Sequence, residues 1–240
     1  MQITKKFMNW YHGENDLEKA PPKSGIRRVG YILVNYTGKL IAINMLFVLC
    51  CLPVFTIPAA LTALNRYLIK LFRTGYGFST DDFFHEFKCN LLKSIPLGVV
   101  TGGLLLYAYY LFSLSGNYEL NFMGSLIQGI GIAIFFITAV FGAYTFLLLA
   151  MLDLSVGSIF RNVMILIMVE WPTSLLTAAT LFAFWFLILA FAPYTFAIML
   201  LIGFSLQQLL ICALLNPVVN RRIIGPYEKK NQIDDINNQC

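Results

Sequence analysis

The sequence predicts an all-α, polytopic transmembrane helical bundle of about six spans with both termini on the cytoplasmic side. Three observations predict it. Hydrophobic residues make up 58% of the 240-residue chain and charged residues only 12%, against roughly 45–50% and 25% in soluble domains. A soluble fold so poor in charge could not cover its surface, whereas a bundle surrounded by lipid can. Apolar runs recur at spanning length, and the basic residues are gathered in alternate connections.

Residues 1–30 form a cytoplasmic N-terminal segment. Lys5 and Lys6 are followed by the polar stretch GENDLEKAPPKSG, where a cleaved signal would carry an apolar core. The first hydrophobic span is therefore expected to act as an uncleaved anchor. A single transmembrane domain follows at 31–217, with spans near 34–53, 55–72, 96–114, 123–151, 172–192 and 195–216. Residues 218–240 are a cytoplasmic tail. A span needs about 20 residues at about 1.5 Å each.

The stretch Tyr31–Phe72 makes either two short crossings turning at Pro53–Pro58 or one re-entrant hairpin. Asn35, Lys39, Arg66 and Lys70 lie toward its outer ends, and both arrangements return the chain to the same side. Pro96 and Pro172 stand where a first helical turn should begin, a position whose amide has no intrahelical partner.

All seventeen basic residues fall in the N-terminal segment, at Lys39, around the connection from Arg66 to Lys93, at Arg161 or after the last span. The connections at Ser115–Asn121 and Ala192–Tyr194 and the turn at Pro53–Pro58 hold none. Cytoplasmic loops collect Lys and Arg, so both termini and the two longer connections are read as cytoplasmic. A five-span arrangement would put the basic N-terminus outside, against that rule. Tyr107, Tyr109, Tyr110, Tyr118 and Tyr194 cluster at the outer boundary and Trp171 at the inner one, as amphipathic rings do. The net charge of +5 is read as attraction to anionic headgroups. No interleaving of aromatic and basic residues supports nucleic-acid binding.

Two cytoplasmic connections draw notice. Residues 80–93 read as a short amphipathic helix, capped by Thr80, with Asp81 and Asp82 at the positive end of its dipole. Phe83, Phe84, Phe87 and Leu91 follow helical spacing. Such a helix rests on the inner leaflet, or offers its phenylalanines to a partner, or both. The elbow 153–171 repeats a faint pattern, Phe160-Arg161-Asn162 before Pro172 against Phe87-Lys88 and Asn90 before Pro96. Asp82, Phe83, Phe84, Phe87, Lys88, Phe160 and Arg161 are the candidate docking residues.

Catalytic parts are missing from the pattern. No carboxylate falls near a span centre, which disfavours a proton- or sodium-coupled carrier. His85-Glu86 begins like a zinc motif, but Cys89 stands where its second histidine should be. The cysteines number five, with no CxxC pair, so neither a disulfide framework nor a zinc site is supported. No cofactor is expected. The intramembrane polar residues are neutral or near an edge: Asn44, Thr56, Thr62, Asn65, Arg66 and Gln207, with Gln128 and Gln208 besides. Side-chain amides in membranes usually bond between helices, at about 0.6–2 kcal/mol each; a polar site for a neutral solute such as a sugar is the rival. Gln207 and Gln208 are one helical step apart and cannot both face one partner. Gly98 and Gly102 form a GxxxG step suited to close packing.

The run NMLFVLCCLPVFTIPAALTAL (Asn44–Leu64), then Arg73, then DDFFHEFKCN (Asp81–Asn90), resembles the YesL-like family of bacterial integral membrane proteins, a domain of unknown function. Pro58 stands where the family pattern has Gly, and Asn65 where it has Tyr. The close match covers about residues 40–92. The resemblance implies a bacterial plasma-membrane protein encoded beside carbohydrate-uptake ABC importers, sugar sensor kinases and glycan-degrading enzymes; it transfers no catalytic residues. Three functions are then open. The first is a non-enzymatic accessory of oligosaccharide import that docks an ABC importer subunit through its elbows. The second is the membrane partner of a sensor kinase, disfavoured by outer loops too short to sense much. The third is an independent facilitator for a neutral solute using Asn44, Asn65 and Gln207. The lipid bilayer is an expected partner, and a homo-oligomer stays open. The expected body is a mostly solid bundle with a shallow opening near the first hairpin.

Overall fold

The computed structural model describes residues 26–74, 80–116, 122–152, 154–192 and 194–226, and these are helical with no strand among them. The elements are α1 (Ile26–Asn35), α2 (Thr37–Cys50), a short 3-10 turn (Val54–Thr56), α3 (Ile57–Thr74), α4 (Thr80–Ser115), α5 (Phe122–Met151), α6 (Val156–Val169), α7 (Trp171–Ala190) and α8 (Tyr194–Ile224). α4, α5, α7 and α8 are each long and apolar enough to cross a membrane, and the pair α1–α2 makes a fifth if it counts as one span.

α3 is the axis of the bundle. It packs against α1, α2, α4, α5 and α8. Ala59, Ala60, Ala63, Leu64, Leu68 and Leu71 on it are buried, and so are the polar Thr62 and Asn65. Small residues in its first half let the neighbours approach. Its polar residues and its cations, Arg66, Lys70 and Arg73, keep it off the set of apolar spanning helices. It lies in the membrane domain because protein, not lipid, surrounds it. α5 and α8 flank it, each with 50% of its most apolar window buried, against 17% for α4 and 11% for α7. Protein leaves most of the surface of the last two uncovered.

Two sequence boundaries are corrected. The predicted amphipathic helix 80–93 and span 96–114 are one helix of 36 residues, with Pro96 in its interior rather than its first turn. Proline removes one intrahelical hydrogen bond there, yet the flanking turns hold through packing, with Phe83, Ser94 and Leu97 all buried. At about 54 Å, α4 outruns a hydrocarbon layer of about 30 Å, so part of it projects. The predicted span 34–53 is broken: α1 and α2 meet at 86°. Asn35 Nδ2 donates to the Tyr31 carbonyl at 2.9 Å, and the Thr37 hydroxyl donates to that of Leu33. Both side chains compete with the backbone at the break. The elbow 153–171 contains a helix, α6, capped by Ser155 Oγ, which accepts from the Ser158 N–H at 3.4 Å. Pro172 does sit in a first turn, that of α7.

Several of the described basic residues meet at adjoining helix ends. Arg73 of α3 donates from Nε and Nη2 to Asn216 Oδ1 at 3.2 and 2.9 Å, and from Nη2 to Asn220 Oδ1 at 2.7 Å. Arg28 donates to the Arg73 carbonyl at 2.8 Å, with its guanidinium 5.3 Å from the centre of the Phe72 ring. Glu170, at the joint of α6 and α7, receives Arg221 at 2.7 Å and Arg222 at 2.6 Å on one oxygen. The readings placed on residues 1–25, 117–121 and 227–240 lie outside the described residues.

Candidate functional site

The six intramembrane polar candidates do not form one site. Asn44, fully buried on α2, belongs to a helix repair. α8 widens to π-type winding over Met199–Gly203, which leaves backbone groups out of register. Asn44 Nδ2 donates to the Leu200 carbonyl at 2.6 Å and, longer, to that of Met199 at 3.4 Å. Its Oδ1 accepts the Ser205 N–H at 2.8 Å. One amide thus serves both sides of the irregular turn, where no water would otherwise do so.

Asn65, one turn deeper on α3 than Leu61, faces α8. Its Oδ1 accepts Gln208 Nε2 at 2.7 Å and the Cys212 thiol at 3.5 Å, while its Nδ2 is buried and meets no acceptor. Arg66 points the other way: Nη1 donates to the Ala150 carbonyl at the end of α5 at 2.6 Å, and Nε lies 3.5 Å from Glu86 Oε1. Asn90 Nδ2 completes that corner by donating to the Glu86 carbonyl at 3.0 Å and to its carboxylate at 3.2 Å. Thr56 closes the first hairpin by donating to the carbonyls of Cys50 and Pro53 at 2.5 Å. Thr62 bonds back to Pro58 at 2.9 Å. The expected helix-to-helix use of buried amides therefore describes Asn44 and Asn65. The solute site that would have joined Asn44, Asn65 and Gln207 is not assembled.

Gln207 differs. It is 8% exposed and its amide bonds to no described residue. It lines a cavity of about 510 Å³ enclosed by the first hairpin, α4, α5, α7 and α8. Leu61, Gly102, Thr138, Phe146 and Trp185 contribute to its wall, and none of its lining residues is charged. Val54, Ile57 and Pro58 of the first hairpin form part of its lining.

The docking candidates separate as well. Phe83 is 1% exposed and packs in the core, so it cannot be offered to a partner. Phe87 is half-buried against the same core. Helical spacing put the phenylalanines on one side; the core takes Phe83 and Phe87 and leaves Phe84, 38% exposed, with Asp82 and Lys88 outside. On α6, Phe160 is 42% exposed although its ring rests 5.3 Å from that of Phe141, and Arg161 is exposed. α4 and α6 are in contact. His85 and Cys89 stand one turn apart, Sγ 3.9 Å from Nδ1, and among the described residues no group of three metal-ligating side chains forms.

Sequence reasoning missed Glu86, Glu170 and Thr138. Glu170 is buried, and the hydrogen bond from Arg222, then that from Arg221, hold its carboxyl below the usual range against the opposing effect of burial. The only sequence signal was a lone acid about fifty positions before a basic pair, which no local pattern connects.

The apolar spanning helices and their buried neutral amides define a helical membrane protein. Residues 40–112 match the family described as "Protein of unknown function, DUF624", which is the YesL-like family. The match runs from α2 through nearly all of α4 and includes the central α3. No curated protein and no solved structure matches the chain.

Proposed function

We propose that this protein is a non-enzymatic, multi-pass accessory of carbohydrate uptake in the bacterial plasma membrane. Its basic end faces the cytoplasm and docks a subunit of an ABC importer. One observation carries the reading: two aromatic–cationic pairs, Phe84 with Lys88 and Phe160 with Arg161, stay exposed on helices that touch each other. Exposed aromatic rings and arginine are the residue types that interfaces favour. The concentration of Arg and Lys at the same end supports the cytoplasmic orientation. The importer as partner rests on the family resemblance. A sensor kinase would use the same surface and is the other partner to look for.

The test is affinity purification in mild detergent, comparing the native protein with Phe84→Asp combined with Arg161→Glu. Recovery of importer subunits by the native protein and their loss from the variant is expected. A variant that keeps its thermal midpoint and its partners would refute the docking surface, and recovery of a kinase instead would replace the importer.

A further inference from the structure

We infer that the cavity between the first hairpin and α7 is a binding site for a neutral amphiphile taken from the bilayer: a molecule with one hydroxyl or carbonyl end and an apolar body. The first observation is a pair of unsatisfied polar groups. Gln207 is 8% exposed and Thr138 is 3% exposed, both line the cavity, and neither side chain bonds to any described residue. A buried amide or hydroxyl without a partner is costly, and more so at mid-length of α5 and α8, far from bulk water. Neither is among the side-chain atoms sealed off without a partner, so both reach the cavity, where an occupant can meet them.

The walls say what it is. Leu61, Leu105, Phe146 and Trp185 dominate, and the polar groups are few and neutral. A charged headgroup would enter this space unpaired. A free sugar would leave most of its hydroxyls against hydrocarbon. Water can reach the two polar groups, but it fills only that corner of a space whose other walls are apolar. A volume of about 510 Å³ falls within the range of small-molecule sites, about 300–1,000 Å³. Gln207 can donate and accept, and the Thr138 hydroxyl can do both, so each can bond a hydroxyl or carbonyl.

The entrance agrees with this source. Val54, Leu105 and Trp185 line the cavity and are also exposed on the outside of the bundle. Leu105 and Trp185 belong to α4 and α7, the two spanning helices that protein covers least. The mouth therefore meets lipid, and a molecule dissolved in the bilayer reaches it without crossing water.

Trp185 supplies the reporter. The full chain, carrying Trp10→Phe and Trp171→Phe, is placed in nanodiscs with a bromine-labelled long-chain alcohol. The same chain as a carboxylate and a bromine-labelled phosphatidylcholine serve as comparisons. The alcohol is expected to quench Trp185 saturably and the other two only in proportion to their mole fraction. Gln207→Leu and Thr138→Val should each raise the half-saturating mole fraction about tenfold, the loss of one buried hydrogen bond. Gly102→Leu, whose side chain would enter the open space over Gly102, should abolish the saturable part. Gly102→Leu and Thr138→Val keep the test available if Gln207→Leu does not fold. Equal, unsaturable quenching by all three lipids in every variant would overturn the proposal. So would a Gln207-dependent response of Trp185 to maltose in place of the alcohol.

Discussion

Gly98 of α4 and Pro58 at the start of α3 meet with no space between them: a Cβ on Gly98 would stand 2.1 Å from Pro58 Cγ and 2.9 Å from Pro58 Cβ. The pyrrolidine ring cannot swing away as a long side chain would. Gly98 is thus the half of the GxxxG step that serves close packing, while a Cβ on Gly102 would meet nothing within 4 Å.

Gly98→Ala should therefore destabilise the protein by about 1–3 kcal/mol, the usual cost of overpacking. Thermal unfolding in detergent measures it. Pro58→Gly, which restores the residue of the family pattern, should recover most of the loss in the double variant. An unchanged midpoint for Gly98→Ala alone would show that the two helices separate freely.

Asn44→Leu should loosen the irregular turn of α8. It removes partners from the Leu200 carbonyl and the Ser205 N–H, worth about 1–3 kcal/mol when left unmet in the interior. Hydrogen exchange by mass spectrometry should show faster exchange in peptides covering 199–205 and little change in α5. Uniform protection would mean that the turn holds by itself.

Arg66 makes two contacts of different value. Its ion pair with Glu86 at 3.5 Å is partly exposed, so Glu86→Gln should cost less than about 1 kcal/mol, and less still in high salt. Arg66→Leu also strips the Ala150 carbonyl of its charged donor and should cost about 1.5–3 kcal/mol. Equal losses for the two variants would contradict the distinction.

Glu170 gives the protein an acid-sensitive clasp. Its carboxyl is held below the ordinary carboxylate range, first by the hydrogen bond from Arg222 and then by Arg221. A lowered folded-state pKa stabilises the fold fully above the unfolded value, about 4.3 for Glu. That contribution is lost as pH falls from there through the folded value. Thermal midpoints measured from neutral pH downward should thus fall below about pH 4.3, and Glu170→Gln should lower the neutral-pH midpoint and flatten that part of the curve. A variant with the native acid profile would assign the transition to other carboxylates.

Cys89 tests orientation. It is exposed near the start of α4, whereas Cys212 is buried. With Cys50, Cys51 and Cys240 replaced by Ser, a membrane-impermeant maleimide should label Cys89 in inside-out vesicles and not in intact cells. The reverse would invert the proposed topology and remove the docking surface from the cytoplasm.

The parts of the fold legible in the sequence are those set by lipid. α5, α7 and α8 fall close to the apolar runs, because residues facing hydrocarbon obey composition alone. The parts set by contact with other helices were not. Pro96 reads as a helix start until its neighbours are seen holding the turn. The bend at Tyr36 depends on two polar side chains that look like ordinary interfacial residues. Phe83 and Phe84 are adjacent in sequence, and their spacing cannot say which one the core takes. Of the polar residues, Asn44 and Asn65 were legible as helix-to-helix bonds in kind but not in partner. That Gln207 and Thr138 line one cavity has no sequence signal, since α5 and α8 are brought together only by the finished bundle.

The position of α3 has a consequence for how the chain is made. Ribosomes deliver α3 before α4, α5 and α8 exist, yet these later helices are what surround Asn65 and Arg66. Early in translation this helix has no shelter, and its composition is a poor ticket into hydrocarbon by itself. It must linger at the headgroups or inside the insertion machinery until its companions arrive, so the middle of the finished molecule is settled last although it is synthesised early.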